Sequence, residues 1–286
     1  MFTSLLLRTI SGWWKFAIPE YTLTMKILIT GAYGLVGSVV YQHLLKVKPE
    51  AKIFGLGRRR QISDRIDPRK TFDIPENRLF ISDLSNLEEV YEILRGFDTV
   101  VHMAADPRPD APWESILKSN ILGTYNILEG SMRAGVKRVI AASTVMVSWG
   151  YFDKDPHKSI RLGTADSQTV EKYRILPTDP VQPTCLYASS KVCLEAMAKT
   201  YTSTHPISIF CLRIGAVNSE DRPSPGCRDC WCSHRDISQI VEKCIDAKPS
   251  AKFGIHYAVS ESLWRSFDIE SAKRELGYVP LDRVPG

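Results

Sequence analysis

Tyr187 and Lys191 stand four residues apart in Cys185-Leu186-Tyr187-Ala188-Ser189-Ser190-Lys191. On a helix that spacing stacks the two side chains on one face. A free phenol titrates at about pH 10 and is a poor base near neutrality. An adjacent ammonium stabilises the phenolate, so the pair can exchange a proton with an alcohol. Tyr-x-x-x-Lys also arises by coincidence on amphipathic helices, and an upstream hydroxyl is what gives this one a context. Ala142-Ser143-Thr144 closes an apolar run, and a hydroxyl there can hold the alcohol oxygen that Tyr187 deprotonates.

A second constellation binds phosphate. Gly31-Ala32-Tyr33-Gly34-Leu35-Val36-Gly37 reads G-x-x-G-x-x-G between a short apolar run, Lys26–Thr30, and a helical pattern over Leu35–Val47. Its first glycine allows a tight turn, the open backbone lets a pyrophosphate approach, and its last glycine lets helix and strand pack. The following helix presents free N–H groups to the phosphates. Gly31, Tyr33, Gly34, Leu35, Val36 and Gly37 are therefore expected to meet a dinucleotide. Arg58 opens Arg58-Arg59-Arg60, 21 residues after Gly37, where an acid would normally bind the ribose hydroxyls. No acid occurs at 55–60. An Arg there accommodates a 2′-phosphate, so NADP is favoured over NAD.

The elements that must hold these groups alternate. Short β-rich runs at 26–30, 51–56, 78–81, 99–103, 138–142 and 207–213 are separated by helical patterns at 35–47, 87–94, 113–134 and 184–204. Each crossover is long enough for a parallel sheet covered on both faces. The expected fold is α/β, a Rossmann-type doubly wound sheet over 25–286 with a small C-terminal substrate lobe built mainly from 145–183 and 214–286. The stretch 150–183 reads as a long loop, and helices close the chain at 237–247 and 270–276. Residues 1–24 read as an extension, poorly ordered, with Met25 opening the domain.

Composition is that of a globular chain: 286 residues, 44% apolar and 24% charged, which excludes disordered and fibrous classes. The longest apolar stretch, 5–18, is interrupted by Arg8, Ser11, Gly12 and Lys15 and is too short to span a membrane. A net charge of +5, spread along the chain, does not point to nucleic acid. Seven irregularly spaced cysteines read as reduced thiols, hence a cytoplasmic setting. Cys227, Cys230, Cys232 and His234 include soft metal ligands, but their spacing is tighter than most structural zinc sites. Ser233 with Asp236 three residues on reads instead as a helix N-cap, and no metal is expected.

In chain order, the Gly-rich turn, Asp83-Leu84, Val101-His102-Met103-Ala104-Ala105, Asn120-Ile121-Leu122-Gly123-Thr124, Ser143-Thr144, Tyr187-Ala188-Ser189-Ser190-Lys191 and Arg213-Ile214-Gly215 resemble the extended short-chain dehydrogenase/reductases, also called NAD-dependent epimerase/dehydratases. The likeness runs from Met25 to the C-terminus. It is nearest the branch of uronate dehydrogenases and haloarchaeal glucose-6-phosphate dehydrogenases, on 105–113 and 231–236. The resemblance implies Tyr187 as acid/base, Lys191 as its partner and nicotinamide-ribose ligand, and Thr144 as the orienting hydroxyl, with Ser143 the fallback. It also implies Asp83 and Leu84 at the adenine, Ala104 and Ala105 along the cofactor channel, and a homodimer through the helices 113–134 and 184–204.

The chain departs from the uronate pattern at Val145-Met146, Ala216 and Gly226. Only 95 residues follow Lys191, which suits a small sugar, sugar acid or sugar phosphate better than a nucleotide sugar. Arg108 and Arg228 are candidate anion contacts. The expected activity is hydride transfer between such a substrate and NAD(P). An epimerase that keeps its cofactor and a non-catalytic dinucleotide sensor are the alternatives.

Overall fold

The computed structural model describes residues 24–67, 69 and 71–285, so the extension assigned to 1–24 lies, but for Thr24, outside the described residues. Seven strands form one parallel sheet in the order β3-β2-β1-β4-β5-β6-β7. They are β1 Lys26–Thr30, β2 Lys52–Gly57, β3 Leu79–Ile81, β4 Thr99–His102, β5 Arg138–Thr144, β6 Ser208–Ile214 and β7 Phe253–Ala258. The helices are α1 Leu35–Val47, α2 Leu87–Leu94, α3 Trp113–Ser115, α4 Gly123–Ala134, α5 His157–Leu162, α6 Ser167–Lys172, α7 Leu186–Thr204, α8 His234–Ile245 and α9 Glu270–Leu276. A π-helical turn, Ile116–Leu122, joins α3 to α4.

Alternation along the strands sends side chains to two cores. Ile27 and Ile29 of β1 pack with Val40 and Leu44 of α1 and Ile237 and Ile240 of α8. Leu28 packs on the other face with Val90 of α2, Ile127 of α4 and Leu194 of α7. The chain leaves β1 for β2 on one side and reaches β4 on the other. That reversal opens a crevice at the carboxyl ends of β1 and β4, where such folds take ligands.

Two parts of the sequence reading need correction. The stretch 150–183 is not a long loop: a 3₁₀ segment, Val145–Asp153, leads into α5 and α6. Each short helix is anchored by one buried residue, Ile160 or Val170, too few to show a period, and Asp166 caps α6 by accepting the Thr169 N–H at 2.8 Å. Strand β7 was not foreseen. Its Gly254 and buried His256 break the apolar pattern, and its pairing with β6 is what makes it a strand.

Candidate active site

The Gly-rich turn forms a cradle that no other residue would fit. Gly31 has φ +66° and lies so near the β4 exit that a Cβ would meet the Ala104 nitrogen at 2.8 Å. At Gly37 a Cβ would stand 2.1 Å from the Gly31 oxygen. Gly34 starts α1 with no side-chain cap and no acid in the first turn, leaving that helix end's N–H groups and positive pole for an anion. A cleft beside the turn is lined by Gly31, Arg58, Ser82, Leu84, Ala104 and Ala105, five of which the sequence reading assigned to a dinucleotide. This arrangement fits a pyridine dinucleotide.

His102 fixes the floor of the crevice. Its Nδ1 lies 2.8 Å from Thr30 Oγ1 and its Nε2 3.2 Å from Thr124 Oγ1, while Thr30 Oγ1 accepts the Ala104 N–H at 3.2 Å. Burial, with Lys191 nearby, holds the ring down at about 3, so it stays neutral. Asn120, in the π-turn, accepts the Asp106 N–H at 2.8 Å and donates to the Asp106 carbonyl and the Ser190 hydroxyl. It thereby ties the Ala104–Asp106 wall to α7.

Thr144 ends β5, Tyr187 and Lys191 stand on α7, and the structure brings the three together. The Thr144 hydroxyl lies close enough to the Tyr187 phenol to lower it, and accepts the Met146 N–H at 3.2 Å. Lys191 Nζ lies 5.8 Å from the centre of the Tyr187 ring. Burial pulls the Lys191 ammonium down to about 8. The Tyr187 phenol is pushed up, first by burial, while the Thr144 hydrogen bond and then the Arg65 cation pull it back. The sequence reading had Lys191 lowering that phenol. In this structure desolvation outweighs any such effect.

Ser143, offered as the fallback, faces the other way, as strand alternation requires. Its hydroxyl donates to Glu195 Oε1 at 2.6 Å, and Arg213 grips both oxygens of Glu195 at 2.9 Å. Arg213 also donates to the Tyr257 hydroxyl at 3.0 Å, which lies 2.8 Å from Ser148 Oγ. This buried network underlies the site rather than facing it.

Other assigned side chains are engaged elsewhere. The Tyr33 phenol is buried and donates to Asp73 at 2.8 Å, pinning the β2–β3 connection, so only its backbone faces the turn. Asp83 accepts the Ser85 N–H and pairs with Lys118 at 3.0 Å. Arg108 forms a two-pronged pair with Asp106 at 3.0 and 2.7 Å. Arg228 stacks on Trp264, 4.4 Å from the ring centre, and donates to the Pro285 carbonyl. Neither Arg108 nor Arg228 is a free anion ligand here. Ser233 caps α8 as expected, accepting the Asp236 N–H at 3.0 Å. Among the described residues no three His, Cys, Asp or Glu side chains gather as a metal site. Nor is any described helix long and apolar enough to cross a membrane.

Sequence reasoning missed His102, Glu195 and Arg65. Glu195 follows Lys191 by one helical turn, which is a signal of a shared face. Arg65 comes from the β2–β3 connection, and no local pattern relates it to Tyr187.

The fold and the cradle define a dinucleotide-binding protein of Rossmann type. Residues 27–279 match the model of the NAD dependent epimerase/dehydratase family, and the chain belongs to that family. It is 29% identical over 258 residues to an NAD-dependent glucose-6-phosphate dehydrogenase of Haloferax volcanii, covering 90% of this chain and 93% of that one. It is also 29% identical over 268 residues to an L-arabinose 1-dehydrogenase (NAD(P)(+)) of the same organism, covering 90% and 96%. Among solved structures, a mutated uronate dehydrogenase superposes with a TM-score of 0.70 at 25% identity, covering 91% of this chain and 82% of that one.

Proposed function

We propose that the protein is an NAD(P)-dependent sugar dehydrogenase in which Tyr187 is the acid/base. The observation that carries this reading is the meeting of the Thr144 and Tyr187 side chains, one strand over from the Ala104 wall, with Lys191 close to the Tyr187 ring. A substrate alcohol placed between those hydroxyls is oriented by Thr144 and gives its proton to Tyr187 as it is oxidised. A bound oxidised nicotinamide supplies the hydride acceptor and a positive charge beside the phenol. Lys191 would hold its ribose, and the α1 N-terminus, Gly31, Gly34 and Gly37 its pyrophosphate. Leu84, Ala104 and Ala105 would line its channel.

NADP is the favoured cofactor. Arg58 lies in the cleft where the adenosine ribose is expected, its side chain exposed and ready for a 2′-phosphate. The substrate class is a small aldose, sugar acid or sugar phosphate. The relatives named for glucose-6-phosphate and L-arabinose support it. Aldoses, sugar acids and sugar phosphates incubated with NADP or NAD test the reading. Net gain of reduced-cofactor absorbance with one of them supports a dehydrogenase. Product without net reduction makes the protein an epimerase, and cofactor binding without turnover makes it a sensor.

A further inference from the structure

Cys227-Arg228-Asp229-Cys230 plays no part in the chemistry above. The Cys230 N–H donates to the Cys227 carbonyl at 3.2 Å, a turn that holds two residues three apart with their Cα atoms within about 7 Å. That is disulfide range. Their side chains lie close enough to act on one another, Cys230 lowering the Cys227 thiol. Cys227 is half-buried and reachable, whereas Cys230 is buried. Next to them stands a cation without a full set of partners. Arg161 lies over the Trp149 ring at 3.9 Å, its buried Nη1 has no hydrogen-bond partner, and its charge acts on Cys227, Asp229 and Cys230 alike.

We propose that Cys227 and Cys230 are a redox-active dithiol that closes to an intramolecular disulfide by exchange with a small-molecule disulfide of the glutathione type. The reachable sulfur is the attacking group. The Cys230 thiol, then the Ser224 hydroxyl, hold Cys227 down at about 6, against burial, so it is a thiolate at neutral pH. Cys230, pushed well up, keeps its proton. In the first step the Cys227 thiolate bonds to one sulfur of the incoming disulfide and expels the other as a thiolate. In the second, Cys230 gives its proton to that released thiolate and attacks the Cys227 sulfur. The Cys227–Cys230 bond forms and a second small thiolate leaves. Two electrons pass from the dithiol to the small disulfide, which is reduced to two thiols.

Incubation of the full chain with oxidised glutathione, followed by thiol titration in denaturant and peptide mapping, tests this. The seven thiols of the chain should fall to five, with Cys227 joined to Cys230 in the mapped peptide. Cys230→Ser should stop the exchange halfway, leaving one glutathione on Cys227. Retention of all seven thiols overturns the proposal. So does a crosslink between other cysteines, or labelling of Cys185 or Cys193 ahead of Cys227.

Discussion

Arg213 and Glu195 face each other as a two-pronged ion pair, 2.9 Å at each carboxylate oxygen, between the end of β6 and the middle of α7. Both are buried, and Ser143 and Tyr257 complete their hydrogen bonds. The pair fixes α7 against β5 and β6, and so sets where Tyr187 stands relative to Thr144. Removing one partner leaves a charge uncompensated in the interior. Glu195→Gln should cost about 3–5 kcal/mol of stability, read from the denaturant midpoint. A change within experimental error would mean that the pair does not anchor α7.

In the proposed reaction Thr144 contributes the orienting hydroxyl. Thr144→Val keeps the branched shape and removes the hydroxyl beside Tyr187, so kcat/KM should fall by roughly ten- to a hundredfold, the worth of one hydrogen bond to a developing charge. Thr144→Ser should keep most of the activity. Steady-state kinetics on the responding sugar check both.

The Gly-rich cradle, six of the seven strands and the nearness of Thr144, Tyr187 and Lys191 were legible because each leaves a local pattern: a turn without Cβ, a short apolar run, a four-residue helical spacing. Ser143 against Thr144 was a question of strand register, and β5 decides it by sending one hydroxyl to Glu195 and the other to Tyr187. Arg108 and Arg228 look alike in sequence to a free anion ligand. The Arg108 counter-charge, Asp106, stands two residues before it in the sequence, whereas the Arg228 partners, Trp264 and the Pro285 carbonyl, come from the fold. Arg65 and β7 were out of reach, like the partners of Arg228, since their roles come from long-range pairing. The expected lowering of the Tyr187 phenol failed on burial, which a spacing argument cannot weigh.

Arg58 should decide between cofactors. Arg58→Ala should raise the KM for NADP by about tenfold or more, the scale of a lost charge-assisted hydrogen bond to a phosphate, and leave that for NAD near its native value. Arg58→Asp should turn the preference toward NAD. Equal effects on both cofactors would remove Arg58 from the 2′-phosphate site.

Lys191 carries a pH signature. Its ammonium titrates at about 8 when folded and 10.5 when free. Between those values the unfolded chain holds a proton that the folded chain does not, so this group makes stability rise with pH across that window. Lys191→Met removes the buried charge and should flatten the rise, raise Tm at neutral pH and abolish turnover. Chemical denaturation at several pH values checks the slope, and an unchanged slope would show that Lys191 is not the group responsible.

The direct test of the proton relay is single-turnover reduction of the preferred cofactor by the responding sugar, native protein against Tyr187→Phe. The phenylalanine keeps the ring and loses the acid/base, so the rate should drop by about a thousandfold, within the range for general acid–base catalysis, with cofactor affinity unchanged. A rate within a few-fold of native would contradict the assignment of Tyr187 as the proton acceptor.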